Sequence, residues 1–550
     1  SVPSMVYIAA NDGMLHAFYL EDDLRTSHSE EGEEAWAWIP SYLLYWDHES
    51  MHGVTWPGRL MDQMLYGRTF LMDGTPVVDD VWLDRDGDGA RDCDDAAISS
   101  AADLSDNCEW HRVLVVQQGK GGPVTMALDI TDPLDPLYLW EQVDLWDPTA
   151  QGYTVGRPVI AKVYDDRDPT NLTFRWVAIW GSGRAVTSGS SLGYFQSVEA
   201  NLYMWAIGDD YLNSFDPAGI SWDGETWDNS VGYRLDLGGN NGHPENWYSN
   251  MKDLWDGGGF EDLDDHFEHA YIAATPAVVD VDNDGDSDVV YFPVTTTYGS
   301  RADDTPTPRP WRPVDAQISG RDYKDPGDTW IWKAMIDLNG GTSEEDLDIQ
   351  WCPYEFFDPK DAAITGLSER PPVYYAITTS WMYDGSLGLY WGTGSPYERY
   401  TTDPGYFFAV KDPTPLVCSA AVGIECDGEV GLFELGAGEG LTADPIVYAG
   451  IVFFSTYQPN TSDMCEMGVG RVYGISYEDC SPALGDIDGD GIDDSSVEVD
   501  GYPSQVAISD QGTVFIGTSA YDDETAGIVT LTLGVDPLQG TQTVSWMEIF

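Results

Sequence analysis

Positive charge is what this chain most lacks. Lysine and arginine number 25 against 95 aspartates and glutamates, a formal net charge of −70 at pH 7. Lysine stands only at positions 120, 162, 252, 324, 333, 360 and 411. A surface this acidic repels nucleic acid and anionic membrane, which carry charge of the same sign. It suits a medium rich in divalent cations or salt. Long apolar runs are missing too: no stretch has the length and apolarity to cross a bilayer as a helix, so no membrane insertion is expected. Sustained amphipathic helical patterns are scarce, which argues against a helical bundle. None of the 7 cysteines sits in a CxxC or CxxCH arrangement, and this speaks against zinc, haem attachment and thioredoxin-like chemistry. They fall as near pairs, Cys93/Cys108, Cys418/Cys426 and Cys465/Cys480, with Cys352 alone. Each pair is expected to close a local disulfide in an oxidising compartment. The chain opens at Ser1 on a strand pattern without initiator Met or signal peptide, and is expected to be a processed or trimmed piece of a larger protein.

What the chain does have is aromatic residues, glycine and short apolar strands. Residues 5–18 read strand, Asn-Asp-Gly turn, strand, a hairpin signal. Comparable units follow at 113–130, 389–411, 446–477 and 505–518, each an apolar run, a glycine-containing turn and a second run, and the run at 176–180 ends in Gly181-Ser182-Gly183. Strands of blade-like length with Gly and aromatic punctuation predict an all-β propeller, a single domain over 1–550. Six to eight blades are expected, with seven the central expectation; a tandem of β-sandwiches is the alternative. Residues 185–270, which hold Trp222, Trp227, Trp247 and Trp255, and the Pro- and Asp-rich residues 300–330 lack periodicity, so they are expected as loop insertions on one face.

The most informative stretch is the loop at 280–288. Apolar, β-branched runs at 277–279 and 289–292 flank carboxylates at every second position: Asp280, Asp282, Asp284, Asp286 and Asp288. Like charges packed this closely repel unless a cation sits among them. Gly285, sixth from Asp280, permits the sharp turn of an EF-hand-type loop, with side-chain ligands at positions 1, 3, 5 and 9 and a backbone carbonyl at 7. The flanks are strands and position 12 is Tyr291, so this is a calcium loop spliced between strands, in which Asp288 must complete the shell. Two further loops share the spacing. Asp84, Asp86, Asp88, Ala90 and Asp92, with Asp95 at position 12, form one; Asp486, Asp488, Asp490, Ile492 and Asp494 form the other. Ca²⁺ is the expected cofactor at all three, bound most tightly where five carboxylates stand together. A solvated acidic turn is the bland alternative, and Mg²⁺, which retains its waters, fits less well.

Several stretches resemble the C-terminal domain of the PilY family, tip-associated adhesins and biogenesis factors of bacterial type IV pili. They are residues 6–18 (VYIAANDGMLHAF), 34–40 (EAWAWIP), 127–133 (ALDITDP), 152–162 (GYTVGRPVIAK), 276–291 (PAVVDVDNDGDSDVVY), 392–394 and 441–457 (LTADPIVYAGIVFFSTY). The resemblance implies a modified seven-bladed, quinoprotein-like propeller that binds calcium at 280–288. It also implies a part in pilus biogenesis, in extension and retraction control and in surface attachment. The partners would be minor pilins and a host or abiotic surface, and the location the extracellular pilus tip, reached through the periplasm. The chain departs from the family in lacking the larger N-terminal region, in its loops at 84–95 and 486–494, and in its more negative charge.

Two other functions compete. Pyrroloquinoline-quinone dehydrogenases share this propeller shape, but they place a disulfide between adjacent cysteines beside the cofactor, and here no two cysteines are adjacent. No enzyme activity is expected, and His266 and His269 read as part of a solvated acidic loop. An integrin-like or lectin-like adhesin, braced by acidic loops blade after blade, is the nearer alternative. Its loops should recur about every 60 residues by blade length, whereas these begin at 84, 280 and 486.

Overall fold

The computed structural model describes residues 3–20, 31–44, 70–82, 110–142, 154, 156–165, 173–183, 201–207, 232–236, 270–272, 274–296, 329–336, 349–351, 355–368, 370–394, 404–426, 428–460, 467–487, 489–509, 512–519 and 527–532. Within them the chain is all β apart from a four-residue helix, Ser41–Leu44. Seven antiparallel sheets of three to five strands follow one another along the sequence, with a separate two-stranded ribbon, Glu425–Cys426 and Glu429–Val430.

The first sheet is Met5–Ala9, Leu15–Tyr19 and Glu34–Trp38. The second is Val77–Trp82, Trp110–Gln117, Thr125–Asp129 and Leu137–Gln142. The third is Val159–Asp165, Thr173–Gly181, Asn201–Ala206 and Gly232–Asp236. In the fourth, Ala270–Tyr271 and Ala277–Val279 both pair with Val289–Thr296, followed by Thr329–Ile336 and Ile349–Trp351. The fifth joins Thr378–Trp381, Leu387–Gly392 and Pro404–Asp412, with Val422–Gly423 and Leu432–Ala437 at its edge. In the sixth, Gly440–Leu441 and Ile446–Tyr448 pair with Ile451–Gln458, followed by Val469–Ser476 and Ser496–Asp500. The seventh is Pro503–Ile508, Thr513–Thr518 and Ile528–Thr532.

The core explains why the strands read as unbroken apolar runs. Side chains alternate across a strand, and here each inner sheet is covered on both faces. Leu114, Val116, Met126 and Leu128 of the second sheet pack towards Leu15 of the first. Their neighbours Val113, Val115 and Ala127 pack towards Ala178 and Trp180 of the third. The same division repeats in the fourth sheet, where Val290, Phe292 and Val294 face the third while Val289 and Tyr291 face the fifth. Further clusters join the fifth sheet to the sixth and the sixth to the seventh. Among the described residues no cluster joins the first sheet to the seventh. Sheets stacked face to face in chain order are the expected propeller arrangement.

Polar contacts gather the leading edges of these sheets. Arg157, two residues before its first strand, forms an ion pair with Asp444, which stands at the same place before Ile446–Tyr448. The Arg157 amide donates to Thr275 Oγ1 at 2.9 Å, and the Ala376 amide to Asp444 Oδ1 at 2.7 Å. Gln505 Nε2 donates to the Asp444 carbonyl at 3.4 Å. Segments belonging to the third to seventh sheets therefore meet at one place.

Two expectations change. Asn201–Ala206 and Gly232–Asp236 lie within 185–270, and they are the two outer strands of the third sheet rather than loop. No short glycine turn joins them, so the hairpin signal that marked other strands was lacking. The rest of that segment and residues 300–328 lie outside the described residues. The cysteine pairing also differs. Cys426 bonds to Cys480, and not to Cys418; Cys480 is accordingly not the partner of Cys465. Cys418 is disulfide-bonded too, so its partner lies outside the described residues, as do Cys93, Cys108, Cys352 and Cys465. Spacing misled because residues near in sequence belong to one sheet, whereas the ribbon carries Cys426 into the cluster shared with the sixth sheet, where Cys480 is buried. The bridge spans 54 residues, and chain-entropy reasoning gives such a loop about 4 kcal/mol.

A buried ion pair joins the fourth and fifth sheets. Lys333 Nζ donates to Asp412 Oδ2 at 2.6 Å and to the Val417 carbonyl at 2.7 Å, with both side chains fully buried. The Tyr291 hydroxyl donates to the same carboxylate oxygen at 2.8 Å, and Ser419 Oγ to the other at 2.7 Å. Burial pushes the Lys333 amine below its ordinary range, and the bond to Asp412 opposes that shift. Removing one partner strands a buried charge. Lys333→Met is expected to cost about 3–5 kcal/mol in urea unfolding, and Lys333→Met with Asp412→Leu much less. Equal losses in the single and double variants would contradict this account.

Candidate cation site

The loop at 280–288 hangs from a hairpin whose two strands are held on both faces. Ala277 pairs with Tyr291, Val278 with Val290 and Val279 with Val289. Val289, Val290 and Tyr291 are fully buried, so the two ends of the loop are fixed by the core. The Asp288 amide donates to the Val279 carbonyl at 2.9 Å, and the Ile336 amide to the Asp288 carbonyl at 2.6 Å.

Backbone amides orient the carboxylates. Asp280 accepts from Asn283 N at 2.7 Å through Oδ1 and from Gly285 N at 2.9 Å through Oδ2. Asp282 Oδ1 accepts from Asp284 N at 3.2 Å, and Asp288 Oδ2 from Val281 N at 2.6 Å. The turn requires positive φ at Asn283 (59°) and Gly285 (95°), conformations that Asn tolerates and Gly adopts freely. Asp280, Asp282 and Asp288 each bring one oxygen within 4.8 Å of the others. These are hard oxygen donors, without histidine or cysteine among them. The donor set fits a hard divalent cation such as calcium and suits a soft metal poorly. Of the five expected carboxylates, Asp284 and Asp286 stand outside this trio. They hydrogen-bond to each other, with the Asp284 carboxyl held below its ordinary range chiefly by that bond. Burial, aided by Asp284, pushes Asp286 up to about 7. Asp288 rises to about 6, again chiefly by burial, with Asp280, Asp282 and Asp284 adding repulsion.

Tyr291 at position 12 takes no part. It lies on the strand, and its hydroxyl reaches Asp412 in the ion pair between sheets. A helix after the loop would turn position 12 back to the ion; a strand carries it away.

Among the described residues, the loop at 486–494 repeats this backbone. Ile487 N donates to Asp494 Oδ2 at 2.8 Å, Gly489 N to Asp486 Oδ1 at 2.7 Å and Gly491 N to Asp486 Oδ2 at 2.9 Å. Ile492 N donates to Asp490 Oδ1 at 2.9 Å, and Asp494 N to the Gly485 carbonyl at 2.9 Å. Gly489 and Gly491 hold the positive φ values of Asn283 and Gly285. Asp488 lies outside the described residues, as do the loop with Asp84, Asp86, Asp88, Ala90, Asp92 and Asp95, and His266 and His269.

Sequence reasoning missed Lys162. It lies on the first strand of the third sheet, its carbonyl accepts from Ser287 N at 2.8 Å, and its Nζ would stand 3.2 Å from a methyl placed on Gly285. Its scarcity was the available signal, one of the few lysines in a strongly acidic chain.

No protein-family model matches the chain. A type IV pilus biogenesis factor PilY1 from Pseudomonas aeruginosa strain UCBPP-PA14 is 28% identical over 178 residues, 32% of this chain and 11% of the relative. A PilY1 homologue from Xylella fastidiosa is 26% identical over 190 residues, 34% of this chain and 9% of the relative. The matched region thus spans about a tenth of those relatives' length. The crystal structure of the Pseudomonas aeruginosa PilY1 C-terminal domain aligns with 98% of this chain and 93% of its own, at TM-score 0.52 and 16% identity. That likeness shows the fold, and the partial sequence similarity supports a relationship to the C-terminal domain of the PilY family.

Proposed function

We propose that this chain is the calcium-binding propeller of a type IV pilus-tip factor, acting in pilus biogenesis, in extension and retraction control and in surface attachment. The observation that carries the metal reading is the convergence of Asp280, Asp282 and Asp288 at the end of a hairpin buried on both faces. The relatives' names, type IV pilus biogenesis factors, support the setting, and with it the minor pilins as partners and an exported surface location. Calcium would be held by those three carboxylates, and at 486–494 by the equivalent positions. The loop at 84–95 is proposed as a third site on its sequence alone. No residue is assigned a catalytic role.

The integrin-like alternative draws support from the repetition of the loop at 486–494. Its position weakens that reading. The loop at 280–288 enters the strand Val289–Thr296 early in its sheet, whereas 486–494 precedes the last strand of its own, Ser496–Asp500. Loops that brace blade after blade would occupy one place in each.

Extracellular calcium modules work at about 10⁻⁴–10⁻³ M, the range expected here. Asp282→Ala with Asp288→Ala should remove one equivalent of calcium in metal analysis at millimolar concentration while leaving the far-ultraviolet dichroism of the sheets unchanged. An unchanged stoichiometry would remove the site. Calcium-dependent co-purification with minor pilins tests the setting, and recovery of none with or without calcium would contradict it.

The raised carboxyls also set a pH dependence. Protons held at Asp286 (about 7) and Asp288 (about 6) must leave before a cation gains the full charge of the loop. Calcium affinity should therefore rise between pH 5.5 and 8, with protons released on binding. For the cation-free protein the sign reverses. A carboxyl raised by folding contributes stability that is complete below its unfolded value and is lost as pH rises through 6–7. Calorimetry in two buffers of different ionisation enthalpy measures the release; affinity constant over that range would contradict it.

A further inference from the structure

The outer face of the first sheet carries three side chains that the cation reading leaves unused. His16 stands on the central strand, beside Ile8 on one neighbour and Ala37 on the other. Leu15, next to it, packs towards the second sheet, so His16 points to the opposite side, where Ile8 is exposed. Both nitrogens of its ring reach carboxylates. Nδ1 lies 2.7 Å from Glu34 Oε1 on the third strand, and Nε2 lies 3.0 Å from Asp12 Oδ2 in the hairpin turn. Ionised carboxylates only accept hydrogen bonds, and a neutral imidazole has a single N–H to donate. Bonds to two ionised carboxylates therefore require a ring with two protons and a positive charge. The Phe18 ring stacks on it at 5.9 Å. Among the described residues, Asp12 and Glu34 are the charged groups that act on it most strongly, and its neighbours Ile8, Ala37 and Phe18 carry no charge. Arg112 of the second sheet, paired with Asp80, lies towards Tyr7 on the opposite face. Partial burial opposes the charge on His16, but the bonds to Glu34 and Asp12 outweigh it and hold the imidazole above its ordinary range.

We propose that His16 is a proton-held clamp: doubly protonated, it bridges the hairpin turn at Asp12 to the third strand at Glu34, and loss of one proton opens the bridge at Asp12. The order follows from the geometry. The Glu34 contact is the shorter, so the remaining proton stays on Nδ1, and Nε2 then turns a lone pair towards the Asp12 carboxylate. The third strand is also held from the second sheet. Trp36 Nε1 donates to the Pro133 carbonyl at 2.7 Å, and the Ser41 amide just beyond the strand to Glu141 Oε1 at 2.7 Å. Beyond its own hairpin, the turn has the longer bond from the Leu71 amide to Asn11 Oδ1, 3.3 Å. Opening at Asp12 thus loosens the turn while the strands keep their places. An imidazole raised by folding contributes stability that is complete below its unfolded value, about 6.5, and is lost as pH rises through the folded value. The clamp is closed on the acidic side and opens on the alkaline side, and it involves none of the carboxylates of the cation site.

NMR of the chain labelled at histidine Cε1, with His16→Gln to assign the signal, reads the titration. The His16 midpoint should lie above that of the urea-unfolded chain. Asp12→Asn and Glu34→Gln should each lower it, and the double variant should bring it to the unfolded value or below. A wild-type midpoint at or below the unfolded one, or one that neither variant moves, overturns the clamp. Amide exchange, corrected for its intrinsic pH dependence, then separates a clamp from a static charge contact. Protection of residues 11–14 should fall as pH passes the His16 midpoint while that of Leu15–Tyr19 holds. His16→Gln should show no such step, and neither should Asp12→Asn, which keeps the imidazole and its bond to Glu34. A step that persists in both variants, or a loss of protection spread evenly over the first sheet, overturns the proposal.

Discussion

The fold depends on strands buried on both faces. Val289, Val290, Tyr291, Phe292 and Val294 are all fully buried, alternate residues belonging to two different interfaces. A strand held in this way cannot shift register by one residue without exchanging two complete sets of contacts. This fixes the ends of the loop at 280–288 and lets a short acidic turn keep its shape against its own repulsion. The amides of Val281, Asn283, Asp284 and Gly285 then complete what the core begins, by holding the carboxylates of Asp288, Asp280 and Asp282 in place.

Cations are few, and their placement reflects the value of each. Lys333 pairs with Asp412 between the fourth and fifth sheets, and Arg157 with Asp444 where the leading edges of five sheets meet. Arg471 bonds to Glu439, a buried carboxylate that also accepts from Tyr473. Lys162 lies between the third sheet and the acidic loop of the fourth. Surface ion pairs contribute little to stability; those within or between sheets fix which surfaces meet. In a chain of net charge −70, these fixed cations inside the fold hold neighbouring sheets together.

The strands, their order and the position of the acidic loop were legible because each leaves a local mark: an unbroken apolar run, a glycine turn, an aspartate at every second residue. Contacts between sheets leave no such mark. Nothing near Cys426 in the sequence points to Cys480, and nothing near Ser287 points to Lys162, because the sheets that bring them together are neighbours only after folding. Asn201–Ala206 escaped for a related reason, since it enters its sheet without a short turn. Tyr291 carried a signal of another kind. Its presence where a calcium loop ending in a helix would have glutamate reflected the strand that follows, and the structure turns its hydroxyl to Asp412.

The central claim is that the hairpin of the fourth sheet holds a hard cation among Asp280, Asp282 and Asp288. Anomalous diffraction from crystals grown in millimolar calcium tests it most directly. The account predicts a peak bounded by those three carboxylates. An empty position there, at a concentration where the protein in solution carries calcium elsewhere, would contradict it.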